Sequence, residues 1–465
     1  MHKAGPNLLY ITGISLVAAL GGLLFGYDWV VIGGAKPFYE QFFGIAGNPA
    51  LQGLAMSSAL VGCIIGTLIS GFLAGRYGRK RLLILAALLF LFSAAGTGGS
   101  NYFYTFIAYR ILGGMGIGLA SNLSPVYIAE IAPAGQRGRF VALNQLTIVI
   151  GILLAQIINW TIAEPVPDDA SGAFILNSWN GQKGWRYMFW AEIIPAGIFF
   201  LCMWFVPESP RWLIKRGYQD RAADILTRIG GALYAQKIAI EIKASLDPER
   251  KLGNTSSILN KSILPVVIIG VVLALFQQWC GINVIFLYAE EVFTAAGYSV
   301  SDMLFNVMIT GSVNLVFTFV ALALVDRIGR KKLMLIGAGG LAVIYSIVGT
   351  LYFTGSSGLP LLLFVVAAIA CYAMTLAPLT WVVLSEIFPN KVRGAAMAVA
   401  TFALWTGNAL LAYFFPIINS RINASGSFWM FALICAFGFF FIRSRLIETR
   451  GKTLEMIEKD LLKNN

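Results

Sequence analysis

The sequence has little of the chemistry on which enzymes and metal proteins depend. Its 465 residues include one histidine, His2, and five cysteines, none of them arranged as C-x-x-C. A single histidine argues against histidine-based catalysis and histidine-ligated metal sites, and the chain has no Ser-His-Asp, Walker or metal-ligand pattern. Five cysteines in apolar segments are typical of free packing thiols. We therefore expect no enzyme, no ATP-driven pump, no metal and no cofactor.

Charge is also scarce, and long apolar runs take its place. Only 12% of the residues are charged, 58% are hydrophobic and the mean hydropathy is +0.76. Only helices and closed barrels satisfy the backbone in lipid, and no segment shows strand periodicity, so the sequence predicts an all-α membrane protein. Apolar runs long enough to cross a bilayer predict twelve spans. They lie near 8–33, 53–74, 82–99, 102–127, 139–162, 186–206, 263–289, 304–325, 333–353, 360–384, 395–418 and 427–445.

The basic residues predict the orientation. Of the 34 lysines and arginines, Lys36, Lys183, Arg186 and Arg421 fall on one side and Arg110 lies within the membrane, which leaves the remaining 29 on the side of both termini. Cytoplasmic loops of membrane proteins carry such an excess of basic residues. We therefore expect a protein of the cell membrane with both termini in the cytoplasm. Because the cations lie in short loops beside helix ends, the net charge of +12 indicates a lipid bilayer and not nucleic acid as partner.

Two charged residues lie where apolar residues are expected. Asp28 falls in the first predicted span and Arg110 in the fourth. A charge held in hydrocarbon costs at least about 2.5 kcal/mol on insertion scales, so such residues pair with each other or face a polar cavity, and they usually mark function. We expect Asp28 to pair with Arg110 and to carry a proton in a transport cycle.

The chain repeats itself at about half its length. The run 75–80 (GRYGRK) returns at 326–331 (DRIGRK), and Glu130-Ile-Ala-Pro returns as Glu386-Ile-Phe-Pro. This repetition predicts two pseudo-symmetric six-helix halves, 1–206 and 263–445, joined by a linker at 207–262 and followed by a tail at 446–465. In the linker, apolar residues recur with helical spacing over Gln219 to Gly230 and Tyr234 to Leu246, which predicts short helices lying on the cytoplasmic surface.

The motifs together resemble a known family. The two GRK runs, PESPRWL at 207–213, QQWCGIN at 277–283 and ETRGKTLE at 448–455 are similar to those of the sugar porter family of the major facilitator superfamily. The resemblance covers essentially the whole chain. Within the family, the runs 21–28 (GGLLFGYD) and 184–189 (GWRYMF) most resemble the bacterial D-xylose–proton symporters. The resemblance implies the major facilitator fold and, for a bacterial relative, the inner membrane.

A sugar presents hydroxyls and an apolar ring face, so amides and aromatic rings are its natural partners. The resemblance implies hydroxyl-binding roles for a set of amides and one tryptophan, and apolar or stacking roles for two aromatic residues. The first set is Gln145, Gln277, Gln278, Asn283, Asn314 and Trp381, and the second is Phe25 and Trp405. Gln277 and Gln278 open an interrupted stretch of the seventh span, where irregular backbone is tolerated only around a cavity. Gln145 and Asn314 also fit a purely structural role between helices.

Some positions depart from the family pattern. Ile152 stands where the xylose symporters have a second glutamine, and Leu404 precedes Trp405 where relatives carry Gln or Asn. Leu287 replaces the first of two tyrosines and leaves Tyr288. Each change makes the expected pocket less polar, and Ile152 resembles the glucose facilitators, so both pentoses and hexoses stay open as substrates.

The expected mechanism is alternating access, in which the two halves rock about a midplane site. Glu192 matches a second carboxylate of the xylose symporters and is assigned to proton coupling, with a structural hydrogen-bonding role as the alternative. Duplicated charged residues are candidates for a cytoplasmic gate of ion pairs that forms when the inner side closes. They are Arg76, Arg79, Glu130 and Arg137 in the first half and Asp326, Arg330, Glu386 and Arg393 in the second.

These residues predict a monosaccharide–proton symporter. Its partners are a monosaccharide, a proton and the bilayer, without an obligate protein partner. A facilitative uniporter is the main alternative, because glucose facilitators carry a neutral residue in place of Asp28. A non-transporting sugar sensor usually has a long cytoplasmic tail, whereas about twenty residues follow Arg445 here.

Overall fold

The computed structural model describes residues 7–133, 136–167, 170–246, 263–389, 392–450 and 456, and for residues 245, 246, 322, 325 and 326 it describes the backbone alone. All regular structure in these ranges is helical, which confirms the predicted all-α class. The first half comprises five long helices followed by shorter pieces. They are α1 (Leu8–Phe42), α2 (Pro49–Tyr77), α3 (Arg79–Gly99), α4 (Phe103–Ile131), α5 (Arg137–Ile162), α6 (Gly172–Asn177), a π-helical turn (Asn180–Gly184), α7 (Trp185–Trp190) and α8 (Ile193–Phe205). The turn, α7 and α8 form the sixth span.

The linker contains three short helices, and two of them confirm the helices predicted there. They are α9 (Pro210–Lys215), α10 (Gln219–Gly230) and α11 (Ala232–Leu246). The second half then follows. Its helices are α12 (Leu264–Trp279), α13 (Ile282–Leu287), α14 (Ala289–Ala295), α15 (Val300–Ile328), α16 (Arg330–Phe353), α17 (Leu359–Met374), α18 (Leu376–Ile387) and α19 (Arg393–Arg445).

Eleven helical stretches of the described residues are long and apolar enough to cross a membrane. One of them, α19, is 53 residues long, and its backbone leaves helical geometry at Asn423, where φ is 59° and ψ is 177°. A helix rises about 1.5 Å per residue, so 53 residues would extend far beyond the hydrocarbon layer as a single crossing. The eleventh and twelfth spans therefore meet at Asn423, and the chain makes the twelve crossings that hydropathy predicts.

Helix breaks interrupt the sixth span in the first half and two spans in the second half. The seventh span breaks between α12 and α13 at Gly281, whose φ of +92° favours glycine because it lies in the left-handed region. The tenth span breaks between α17 and α18 at Thr375, whose hydroxyl donates to Cys371 O at 2.5 Å. By contrast, α1 to α5 run without interruption. The interrupted seventh span predicted from Gln277 and Gln278 is confirmed.

Glycines allow two helix pairs in the first half to pack closely. A Cβ on Gly62 would lie 2.1 Å from Ile111 O, and a Cβ on Gly114 would lie 1.8 Å from Ala59 O. The backbones of α2 and α4 are therefore in direct contact. Gly26 on α1 approaches Ile148 O on α5 in the same way. A Cβ on Gly71 or Gly75, near the end of α2, would have no neighbour within 4 Å, so the close approach to α4 does not extend to these turns.

The two ends of the bundle differ. We call the end that holds the start of α1 and the end of α19 the terminal end, and the opposite one the far end. At the far end the halves touch directly: Val166 N donates to Ser301 Oγ at 2.9 Å, and a Cβ on Gly53 would lie 2.2 Å from Tyr413 O. At the terminal end, the ion pairs of the described residues stay inside one half each. The halves are therefore closed together at the far end.

The first helix is longer than its hydropathy predicts. The predicted span stops near residue 33, whereas α1 continues to Phe42 through Gly33, Gly34 and Pro37. Residues Val30 to Glu40 are all buried, including Lys36 and Glu40, so tertiary packing supports a segment whose local sequence favours a loop.

Candidate functional site

The two charged residues predicted to pair do so. Arg110 Nη1 donates to Asp28 Oδ1, and Arg110 Nη2 donates to the backbone carbonyl of Asp28 at 3.1 Å. Both residues are 1% exposed. Gly113 lies one turn along α4, and a Cβ there would be 2.7 Å from Asp28 Oδ2, so only glycine lets α4 come this close to the carboxylate. The result is a buried ion pair between α1 and α4.

Glu192 lies at the start of α8, is 1% exposed and interacts electrostatically with both Asp28 and Arg110. Neither of its carboxylate oxygens accepts a hydrogen bond within the described part of the chain. Arg110 packs its guanidinium over the Phe189 ring of α7 at 5.6 Å and thus turns toward the sixth span, which also carries Glu192. The site therefore contains two buried carboxylates around one guanidinium.

Amide side chains gather at the break of the seventh span. Asn283 Nδ2 donates to Gln278 Oε1 at 2.6 Å and lies 3.4 Å from Asn408 Oδ1 on α19. Gln277 Nε2 donates to Ala377 O at 3.3 Å, while its Oε1 is buried without a hydrogen-bond partner. Because the chain turns at Gly281, side chains from both sides of the break converge. Predicted residues Gln278 and Asn283 are in direct contact.

The tenth span places Trp381 beside the same region. Gln277 binds the carbonyl of Ala377, which lies two residues after the break at Thr375 and one turn before Trp381. Trp381 is 37% exposed and has no hydrogen bond to another residue in the described chain, so its indole N–H is free to meet a ligand. The broken seventh and tenth spans therefore pack together where predicted sugar contacts occur.

An aromatic pair bridges the two halves. Phe25 on α1 and Trp405 on α19 have ring centroids 5.7 Å apart, at an interplanar angle of 59°. Trp405 is 3% exposed, and its Nε1–H is buried without a partner. A buried indole N–H usually finds an acceptor, so an acceptor supplied by a ligand would satisfy it.

The other two predicted sugar contacts lie apart from this group. Gln145 is half-buried on α5, and Asn314 is 6% exposed on α15. The structure gives neither side chain a hydrogen bond to the amides at the seventh-span break. Both are on helices that pack against each other across the halves, so they line the same interface from different positions.

The first copy of the duplicated charged motif forms a network inside the first half. Arg79 Nη2 lies 2.8 Å from Glu130 Oε1, and Ser209 Oγ donates to Glu130 Oε2 at 2.5 Å. Glu208 accepts the backbone N–H groups of Arg79, Lys80 and Ser209 at 2.8 to 3.2 Å. Burial raises the pKa of Glu208, against the opposing effect of those N–H donors and of Arg79. The motif at 207–213 thus fastens the linker to α3 and α4.

The second copy repeats this arrangement. Arg330 Nη2 lies 3.4 Å from Glu386 Oε1, and Glu448 accepts the N–H of Arg330 at 2.9 Å. Arg393 Nε donates to Phe388 O within its own half, while Arg137 is exposed and Arg76 packs over Tyr77. The side chain of Asp326 lies outside the described residues. Among the candidate gate residues, the structure brings together two intra-half pairs and no pair between halves in the described part of the chain.

The family of the chain follows from its similarity to known proteins. The profile of the family "Sugar (and other) transporter" matches residues 14–461. The chain belongs to this family. It is 40% identical to the D-xylose-proton symporter of Escherichia coli K12 over 97% of this chain and 96% of that protein. It is also 38% identical to the arabinose-proton symporter of Bacillus subtilis, over 98% and 96% of the two chains.

The sugar transporter fold is confirmed by a solved structure. The inward open conformation of the xylose transporter XylE from E. coli matches with a TM-score of 0.85 and 39% identity, over 97% of this chain and 99% of that chain. The predicted membership of the sugar porter family in the major facilitator superfamily is thereby confirmed, and the chain is a multi-pass membrane protein.

Sequence reasoning missed several buried polar residues of this transporter. Asn408 joins the amide group at the seventh span, as described above. Gln156 on α5 is 2% exposed, both of its amide atoms lack hydrogen-bond partners, and it packs against Gly311 of α15. It lies eleven residues after Gln145, which places both on one face of a helix. Lys36 and Glu40 at the far end lie beyond the first predicted span, which ends near residue 33. Only helical spacing from Gln145 could have indicated Gln156.

Proposed function

We propose that this chain is a monosaccharide–proton symporter that imports a pentose or hexose by alternating access. The observation that carries the proposal is the buried Asp28–Arg110 pair beside an unpaired buried Glu192. Such a site has one carboxylate more than it has guanidinium groups, so one carboxylate can bind a proton. The chain also belongs to a family of sugar transporters. Two relatives about 40% identical, named above, are described as proton symporters.

The charges explain how a proton would be bound. Two buried carboxylates and one guanidinium leave one negative charge in excess, and a buried carboxylate without a partner is costly. One carboxyl group is therefore protonated in this conformation. Arg110 holds Asp28 through two contacts and Glu192 accepts no hydrogen bond, so the proton resides on Glu192 here. When movement of α1 against α4 separates Asp28 from Arg110, Asp28 becomes the favoured proton acceptor.

The sugar would lie among the broken spans of the second half. Gln278, Asn283 and Trp381 offer hydroxyl partners, and Gln277 Oε1 is an unused acceptor. Phe25 and Trp405 close the pocket from the side where the halves meet, and Gln145 and Asn314 approach from the α5–α15 interface. Ile152 and Leu404 make this pocket less polar, so the ring face of a hexose is accommodated as well as a pentose.

Orientation and rocking complete the proposed cycle. Both termini and the linker lie in the cytoplasm, so the terminal end is cytoplasmic and the far end extracellular. The halves 1–206 and 263–445 are closed together at the far end, which makes this an inward-facing state. In the outward-facing state, the duplicated charged residues of the gate would form ion pairs between halves. They are Glu130 and Arg137 in one half and Glu386 and Arg393 in the other.

Uptake into vesicles tests the proposal. Labelled D-xylose, L-arabinose and D-glucose are offered to proteoliposomes with and without an imposed inward proton gradient. Symport predicts accumulation of at least one sugar above the external concentration when the gradient is present, and equilibration when it is absent. Wild-type uptake that equilibrates regardless of the gradient would reject symport.

The second candidate is a facilitative uniporter. Ile152, which resembles the glucose facilitators at that place, favours it. The same experiment separates the two, because a uniporter equilibrates each sugar with or without the gradient.

A further inference from the structure

A buried lysine holds three glutamates at the far end of the bundle. Lys36 Nζ lies 3.0 Å from Glu40 Oε1, 2.8 Å from Glu290 Oε2 and 2.8 Å from Glu291 Oε1. Lys36 and Glu40 are only 2% and 3% exposed. A lysine so deeply buried requires such partners to remain charged. We call Lys36, Glu40, Glu290 and Glu291 the far-end cluster.

The far-end cluster joins the two halves. Lys36 and Glu40 belong to α1 of the first half, whereas Glu290 and Glu291 begin α14 of the second. Gln52 of α2 donates to Glu40 Oε2 at 2.7 Å and fixes that carboxylate from a third element. Next to the cluster, Gly33 lies so close to Phe286 O that a Cβ there would be 2.5 Å from it. The cluster can therefore be complete only while the far end is closed.

The charges in the far-end cluster do not balance. One ammonium faces three carboxylates, and the other titratable groups facing it are the phenols of Tyr39 on α1 and Tyr288 before α14, which are neutral. Gln52 is neutral too. The side chains of Glu290 and Glu291 are 26% and 22% exposed, whereas those of Lys36 and Glu40 are almost completely buried. If all three glutamates were ionised, the cluster would carry two uncompensated negative charges. Like charges that share a buried site do not all ionise, because each disfavours the charged form of the others.

One unused oxygen atom indicates where a proton can bind. Glu291 Oε2 is buried and has no hydrogen-bond partner in the described part of the chain, whereas Glu40 Oε1 is paired with Lys36 Nζ at 3.0 Å. Burial raises the pKa of Glu291, against the pull of Lys36. A carboxyl proton on one glutamate would remove one of the two excess charges and leave the ammonium three oxygen partners.

We propose that the far-end cluster is a proton-binding latch, which takes up a proton from the extracellular side when the far end closes and returns it to that side on opening. The side named here rests on the orientation in the proposed function. The proton adds to a glutamate oxygen on closing, and the same O–H bond breaks on opening. Because it enters and leaves on one side, this proton is not transported, unlike the one on Asp28.

The test measures closure of the far end against pH. Nitroxide labels are attached to Ala46→Cys and Thr354→Cys, exposed far-end positions in different halves, in full-length protein in nanodiscs. The background carries Cys202→Ser, because the other four native cysteines are buried. Pulsed electron-spin distance measurements give the closed-to-open ratio between pH 5 and 9. Every variant also carries Asp28→Asn, so that Glu192 stays ionised as the counter-ion of Arg110 and the transport site no longer exchanges a proton.

The expected result is a closed-to-open ratio that falls up to about tenfold per pH unit as the pH rises, since one proton is linked to closure. In the double variant Glu290→Gln with Glu291→Gln, only the neutral Lys36–Glu40 pair remains, so the ratio should become independent of pH with closure retained. Glu164→Gln, an exposed glutamate at the same end, serves as the matched control and should keep the wild-type slope.

Two results would overturn the latch. The first is a ratio that does not depend on pH before the glutamates are changed. The second is a pH slope that survives unchanged in the double variant. Neither depends on sugar uptake, so a chain that proves to be a uniporter leaves the latch standing, and a failed latch leaves symport standing.

Discussion

Replacement of Asp28 by asparagine separates proton coupling from sugar movement. Asparagine is nearly isosteric and keeps an oxygen acceptor for Arg110 Nη1, and the backbone carbonyl that accepts from Nη2 is unchanged at 3.1 Å. It cannot alternate between a charged and a neutral form. We therefore expect Asp28→Asn to fold, to bind and exchange sugar, and to lose accumulation driven by a proton gradient.

The size of each effect follows from the geometry. Breaking a buried ion pair costs about 3–5 kcal/mol when one charge is left alone. Here the ionised form of Glu192 can serve Arg110 as a replacement counter-ion, so the loss of folding free energy should be well below that range. The loss of coupling is larger in effect: each proton that moves down 100 mV contributes about 2.3 kcal/mol, or about a fortyfold concentration ratio.

The assay compares wild type and Asp28→Asn in proteoliposomes. Sugar uptake under an imposed proton gradient measures coupling, and equilibrium exchange without a gradient measures sugar movement. Asp28→Ala, which removes the acceptor as well as the charge, is the control for folding and should lower the thermal midpoint more than Asp28→Asn does.

Two results would refute this reasoning. Full gradient-driven accumulation by Asp28→Asn would remove Asp28 as the proton carrier while keeping symport. Equal loss of exchange and of accumulation in Asp28→Asn would mean that the pair serves structure and not coupling. The double variant Asp28→Asn with Glu192→Gln leaves Arg110 without a counter-ion, so it should fold far less well than either single variant.

Three other predictions test the remaining parts of the transporter. Gln278→Ala should weaken sugar binding by about 10- to 100-fold in calorimetry, because Asn283 then loses its 2.6 Å acceptor; unchanged affinity would indicate a structural role. Gly114→Ala should destabilise the fold by about 1–3 kcal/mol or more in thermal unfolding, while Gly71→Ala, with open space around it, should not; equal midpoints would contradict the backbone contact. Glu386→Gln should raise cysteine accessibility at the cytoplasmic face if the gate exists, and identical labelling would reject that gate.

Hydropathy and repetition predict the fold well because lipid requires every span to be apolar and to satisfy its backbone hydrogen bonds internally. The break at Gly281 could be predicted, since polar residues at 277 and 278 interrupt an apolar run and glycine follows. The separation of the last two spans could be predicted as well, because hydropathy places them at 395–418 and 427–445 and Asn423 lies between these ranges.

The site was predicted in part for a similar reason. Asp28 and Arg110 stand out because charge in lipid is costly, so their pairing follows from sequence. Lys36 does not stand out, because Gly33, Gly34 and Pro37 favour a helix end there. Two of its three partners, Glu290 and Glu291, lie more than 250 residues away, and only the tertiary fold brings them to it. Gln156 and Asn408 resemble ordinary helix-bridging amides until their surroundings are known.

The placement of the two sites on different helices has a consequence for evolution. Asp28 and Arg110 lie on α1 and α4, uninterrupted helices held by glycine contacts that admit few substitutions, and Glu192 lies at the break before α8. Most of the proposed sugar contacts lie in the second half, and four of them lie on its broken spans, where local turns orient the side chains. New sugar preferences can therefore arise by substitution in the second half without changing the proton-coupling residues of the first half. Hybrid proteins that combine the first half of this chain with the second half of a relative would have the sugar preference of the relative. Their transport would still be coupled to protons.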